Sequence, residues 1–177
     1  VDSRNRNRLV LIAIVLVFAA PIVTALLLDA SGWRPAGTRN SGTLVQPPAD
    51  VGNASVTLAD GSKLVWRDPQ WHWTLLALPN GDCAQACQTR LAELVRMRIT
   101  LNRSAERLRI VYVGAALPAS APLLAGNDDN GELAAYRAAN PGDLALALVD
   151  PNGLLMMRYA AGYDAALLRG DIVKVVH

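Results

Sequence analysis

Residues 73–87 read WTLLALPNGDCAQAC, and the order of features in this stretch decides the fold class. The apolar run 71–78 (WHWTLLAL) predicts a strand, because it is short, continuous and bounded by a turn signal. Pro79-Asn80-Gly81-Asp82 supplies that turn. From Ala84 the pattern changes to a helical period, with Ala84, Cys87, Leu91, Leu94, Val95 and Leu101 on one face of a helix over 84–103. Cys83 and Cys87 therefore lie at a strand-to-helix junction.

Further along the chain, Leu108–Val113 (LRIVYV) predicts a second continuous apolar strand, as in a sheet covered on both faces. A loop with Pro118 and Pro122 follows, then a short helix near Glu132–Ala139. Leu144–Val149 (LALALV) and Leu154–Tyr159 flank Asp150-Pro151-Asn152-Gly153 and form a hairpin. Asp164 can cap a last helix running to about Val176. Upstream, Ser55–Leu58 and Lys63–Trp66 flank Ala59-Asp60-Gly61-Ser62, a further hairpin signal. The order is hairpin, β, α, β, α, β, β, α. Its βαβ unit implies parallel neighbours, and the closing hairpin adds an antiparallel edge.

The N-terminal part has another character. Leu9 to Leu28 (LVLIAIVLVFAAPIVTALLL) is uncharged and is apolar except at Pro21 and Thr24. As a helix it is about 30 Å long, the thickness of a bilayer core. The run is longer than the apolar region of a signal peptide, and Leu28-Asp29-Ala30 is a poor cleavage site. Arg4, Arg6 and Arg8 precede it and Asp29 follows. The positive-inside rule then puts residues 1–8 in the cytoplasm and the rest outside, in the periplasm of a bacterial inner membrane. Trp33-Arg34 stands where an interfacial anchor or a linker decoration would sit. Residues 29–54, rich in Gly, Ser, Pro and Asn, read as an extended linker in which Gly42–Pro48 can lie against the domain. Residues 55–177 are the domain.

Composition supports this division. The chain has 177 residues, 52% hydrophobic and 18% charged, with net charge +2. All of the +2 comes from residues 1–8 (three Arg, one Asp), and residues outside 1–28 are about 49% apolar, an ordinary soluble value. Two cysteines exclude a disulfide-framework protein, and nothing in the charge pattern supports a nucleic-acid binder. A phosphate-binding glycine loop is absent, and Ser, His and Asp have no hydrolase spacing. Arg90, Arg96, Arg98, Arg103, Arg107 and Arg109 against Glu93 and Glu106 give a local +4, which suits an acidic partner, lipid headgroups or simply a solvated face.

The cysteine pair carries the chemistry. A helix N-terminus favours thiolate, although Asp82 opposes it. The two sulfurs could form a disulfide, structural or redox-active, or offer two thiolates to a soft cation such as copper(I).

The single anchor, this element order, Gly42–Pro48, residues 73–87, Ile110–Val113 and LALALVDPNG at 144–153 resemble the Sco (SenC) family of copper chaperones for cytochrome c oxidase. The likeness spans residues 42–177. It implies a thioredoxin-like domain, with Cys83 and Cys87 as catalytic thiols or copper ligands. Its expected partners are oxidase subunits or their assembly factors. A non-catalytic accessory subunit with a structural disulfide is the alternative. Two departures stand out. Ala84 occupies the place of the family's proline, and Pro141-Gly142-Asp143 the place of its Asp-His-Ser, so the third copper ligand is missing. His72, expected at a strand end facing water, and His177, at the end of the last helix, are the only histidines. Met156 and Met157 offer thioethers on opposite faces of a strand.

Overall fold

The computed structural model describes residues 3–32, 40–115 and 123–176. Trp33, Arg34, Pro118, Pro122 and His177, singled out above, lie outside them. The chain forms two compact units, Val1–Arg39 and Asn40–His177.

The first unit is one helix, α1 (Ser3–Ala30), with Pro21 inside it. Its apolar side chains are exposed all round, from Leu9 to Leu27. A helix apolar on every side is suited to hydrocarbon. It is long and apolar enough to cross a membrane.

The second unit contains β1 (Thr43–Asp50), β2 (Val56–Leu58), β3 (Trp73–Pro79), α2 (Gln85–Ile99), β4 (Leu108–Val113), β5 (Leu123–Asp128), β6 (Leu144–Val149), β7 (Leu154–Tyr159) and α3 (Ala165–Val175). The strands make one sheet in the order β1-β7-β6-β3-β4-β5-β2. β3 is central, parallel to β4 and antiparallel to β6. Each central strand divides its side chains between two cores. Leu75 and Ala77, Ile110 and Tyr112, and Leu146 and Leu148 meet Leu91, Leu94 and Ile172 of the helices. Leu76 and Leu78, Val111 and Val113, and Val149 meet Val51, Trp66 and Leu133 on the other face. Continuous apolar strands are the expected consequence of such two-sided burial.

The linker expected over 29–54 requires correction. Thr43–Asp50 is strand β1, antiparallel to β7, so the ordered domain begins near Asn40. Pairing holds at Thr43–Leu44 and again at Ala49–Asp50, and the register shifts between them, where Gln46-Pro47-Pro48 cannot continue a ladder. One carboxylate fixes the entry. Asp171 of α3, 2% exposed, accepts from Ser41 N (2.7 Å), Ser41 Oγ (2.8 Å), Gly42 N (3.2 Å) and Lys174 Nζ (2.9 Å). Burial raises its pKa, but these hydrogen bonds outweigh burial and hold it below the usual carboxylate range. Gly42 is required there, since a Cβ would stand 2.6 Å from the Tyr159 ring.

Other boundaries also move. β1 covers β7, so the closing hairpin is not the sheet edge. Val56–Leu58 pairs mainly with β5, and Lys63 contributes a single bridge to Thr57 in place of a second hairpin strand. α2 stops at Ile99 and a 3-10 turn follows over Asn102–Arg107. The short helix expected near 132–139 is one 3-10 turn, Ala134–Tyr136. Asp164 does cap α3, accepting from Ala166 N and Leu167 N.

Candidate functional site

Cys83 and Cys87 are joined by a disulfide at the junction of β3 and α2, with Cα atoms 5.2 Å apart. Cys87 lies on the buried face of α2 with Leu91, Leu94 and Met97, and is 1% exposed. Cys83 precedes the helix on the turn and is half-buried, with its side chain packed at the margin of the same core. The N-cap residue, Ala84, has no side chain to cap with, and no acid stands in the first turn of α2. The free N–H groups there favour negative charge on a nearby sulfur. Cys83 is thus partly buried at the polar helix end, and Cys87 is withdrawn into the core.

A second loop is fastened beside this turn. Asn80 N donates to Asp143 O (3.3 Å), Gly142 N to Asn80 O (2.9 Å), and Asn80 Nδ2 to Ala139 O (3.1 Å). Arg137 Nη1 bridges Pro79 O (3.1 Å) and Val113 O (2.9 Å), tying the loop to the ends of β3 and β4. Pro141-Gly142-Asp143 therefore stands against the turn that leads to Cys83, and it brings no imidazole there. Tyr163, between β7 and α3, packs on the core that holds Cys87, and the Arg90 guanidinium lies 5.7 Å from its ring centre. Its buried hydroxyl has no partner among the described residues, and burial pushes its pKa up.

The remaining candidates stand elsewhere. His72 precedes β3, at the opposite end of a seven-residue strand, about 20 Å from the cysteine turn. It is half-buried, not simply open to water, because its Nδ1 lies 2.7 Å from Asp68 Oδ2. Arg109 Nη1 is 3.4 Å from the same oxygen. Met157 is buried in the helix-side core, while Met156 is the extra residue where β7 shifts register against β6. The arginine cluster does not form one face. Arg109 belongs to β4 and bonds Thr74 and Val65, Arg98 donates to Leu108 O, and Arg90 pairs with Glu93. No signal in the sequence marked Asp68 or Asp171, because Arg109 and Pro151, which Asp68 meets, and Ser41 and Gly42, which Asp171 meets, are distant along the chain.

The donor set decides how far copper fits. When reduced, two sulfurs form a soft pair suited to copper(I). Among the described residues no group of three or more His, Cys, Asp or Glu could hold a metal. Among the described residues no Cys2His centre is assembled.

Residues 73–177 match the family described as the transmembrane-like, thioredoxin-like, C-terminal domain. The chain belongs to this family. Its fold is thioredoxin-like, and solved structures agree. Yeast Sco1 with copper bound aligns at a TM-score of 0.56 and 15% identity, covering 79% of this chain and 94% of that one. Arabidopsis thaliana ScoI with copper bound aligns at 0.50 and 16%, covering 68% and 94%. The Xanthomonas campestris bacterioferritin comigratory protein, described by its alkyl peroxide reduction activity, aligns at 0.51 and 12%, covering 78% and 97%. Identities this low establish a shared fold. No curated protein sequence matches the chain. In this thioredoxin-like family member, the Sco likeness expected from sequence is borne out as a likeness of architecture.

Proposed function

We propose that this protein is a Sco-like assembly factor for a haem–copper oxidase, anchored by α1 with its domain in the periplasm, and that Cys83 and Cys87 perform its chemistry. The observation that carries the reading is the asymmetry of the disulfide: Cys83 is only partly buried, just before an uncapped helix N-terminus, while Cys87 is 1% exposed. Arg6 and Arg8 before the apolar span, and Asp29 after it, support the orientation.

The pair works as a two-electron couple. An upstream dithiol protein reduces Cys83–Cys87. The Cys83 thiolate attacks a disulfide on the oxidase subunit, forming a mixed disulfide and releasing one subunit thiolate, which takes up a proton. The Cys87 thiolate then attacks Cys83 Sγ, breaking the mixed bond and releasing the second subunit thiolate. The subunit gains two electrons and two protons, and the domain returns to its disulfide. In the reduced state the same two thiolates could hold copper(I) as cargo.

The missing third donor favours one other reading, a non-catalytic accessory subunit whose disulfide only braces the turn. Copper(I) titration of the reduced full chain in phospholipid nanodiscs, against a competing chelator, separates metal handling from bracing. One-to-one binding lost in Cys83→Ala supports cargo binding. No binding removes copper from the proposal and leaves thiol exchange alone.

A further inference from the structure

At the end of the sheet opposite the disulfide, a cavity of about 560 Å³ opens between the turn before β3 and the turn joining β6 to β7. Its lining includes Gln70, Trp71, Trp73, Arg107, Asp150 and Asn152. The size is that of a small-ligand site.

Trp71 is the informative residue. Its φ is +60°, a left-handed conformation that a bulky side chain adopts only under constraint. Nothing in the hydrophobic core rewards it, because its indole is 65% exposed. The constraint is Asp68. Trp71 N donates to Asp68 O (3.0 Å), Gln70 N to Asp68 Oδ1 (2.8 Å), and His72 and Arg109 hold Oδ2. Asp68 N also donates to Pro151 O (3.0 Å), fastening this wall of the cavity to the opposite one. A polar knot thus holds a strained turn that projects an indole at the cavity mouth.

The rest of the lining narrows the ligand class. Arg107 opposes an organic cation, and Asp150 opposes an anion. The Asp150 carboxylate is itself occupied by Asn152 N (2.9 Å), Asn152 Nδ2 (3.2 Å) and Leu154 N (2.8 Å). Besides Arg107, which has an interaction of its own, the lining offers two indoles, the apolar Pro151, Val175 and Val176, and planar amides, and the Gln70 amide has no partner among the described residues. A pyranose ring has an apolar C–H face that stacks on indole and a hydroxyl edge that bonds amides. A neutral, multiply hydroxylated ligand satisfies this set without leaving a charge unpaired.

We propose that this cavity binds an oligosaccharide, with Trp71 as the stacking platform and Gln70 and Asn152 as the hydrogen-bonding edge. The site is independent of the thiol chemistry proposed above. Calorimetric titration of the full chain in phospholipid nanodiscs with N-acetylchitotetraose, cellotetraose and maltotetraose tests it. At least one sugar is expected to bind saturably, one to one. Trp71→Gly should weaken that binding by about tenfold or more. Its fold should be retained, since glycine accepts a positive φ without strain. Cys83→Ser/Cys87→Ser should bind as the parent does. Absence of saturable binding to all three sugars, undiminished binding by a folded Trp71→Gly, or loss of binding in the double cysteine variant would each overturn the proposal.

Discussion

The two ends of β3 solve opposite problems. At its C-terminal end the chain turns through Pro79–Asp82 into a disulfide between a partly buried and a buried cysteine, and the local backbone bonds go to the neighbouring 139–143 loop. At its N-terminal end no disulfide stands, and one residue, Asp68, organises a turn through five polar contacts, three by its carboxylate and two by its backbone. The first end is held by a covalent bond between two cysteines. The second is held by polar contacts. The difference teaches that a central strand can separate a covalently fastened turn from one fastened by polar contacts, because its own side chains are buried on both faces and leave only its ends for polar chemistry.

The largest expected effect falls on the Asp68 end. Asp68→Ala leaves Arg109 without its carboxylate and removes the support of Trp71, and should cost about 3 kcal/mol by chemical denaturation. Because the ends are about 20 Å apart, the redox potential of the cysteine pair should not change. A shifted potential would mean that the two ends are coupled.

Reducing the disulfide tests the other end. The closed loop is very short, so its loss should lower stability by only about 2 kcal/mol, measured by denaturation with and without a dithiol. A loss as large as that of Asp68→Ala would make the bond a structural brace.

Acid sharpens the contrast. The Asp68 and Asp171 carboxyls are held below their ordinary range: burial raises both, and hydrogen bonds and neighbouring charges, from Gln70, His72 and Arg109 or from Lys174 and Ser41, outweigh it. Groups depressed in the folded state stabilise it fully above the unfolded carboxylate pKa, about 3.9. That contribution is lost as pH falls through their folded values. Melting temperature should therefore hold level from pH 7 to pH 5 and fall below pH 4, and the fall should be smaller in Asp68→Ala. The smallest effect is a gain: Trp71→Gly should raise stability by about 1 kcal/mol through release of backbone strain, read by thermal melting.

Much of this architecture was legible in the sequence, for a physical reason. β6 is an unbroken apolar run, β3, β4 and β7 are each apolar but for one Thr or Arg, and Asp164 is a local cap. Each of these signals lies within a few residues of what it specifies. β1 was illegible as a strand because Pro47-Pro48 interrupts it and its pairing with β7 resumes only at Ala49. β5 (LLAGND) lacks strand composition. Its Gly126 is there because a Cβ would meet Thr57 O at 2.8 Å, a contact set by tertiary packing. Asp171 meets Ser41 across 130 residues. The cysteine spacing pointed to the junction, but only the structure distinguished the partly buried Cys83 from the fully buried Cys87.

The reduction potential of Cys83–Cys87, measured in the full chain by equilibration with glutathione or dithiothreitol buffers, tests the central claim most directly. An exchange-competent pair should titrate in the range of thiol–disulfide carriers, between about −120 and −270 mV. A potential below about −300 mV would mark a structural disulfide and contradict the account.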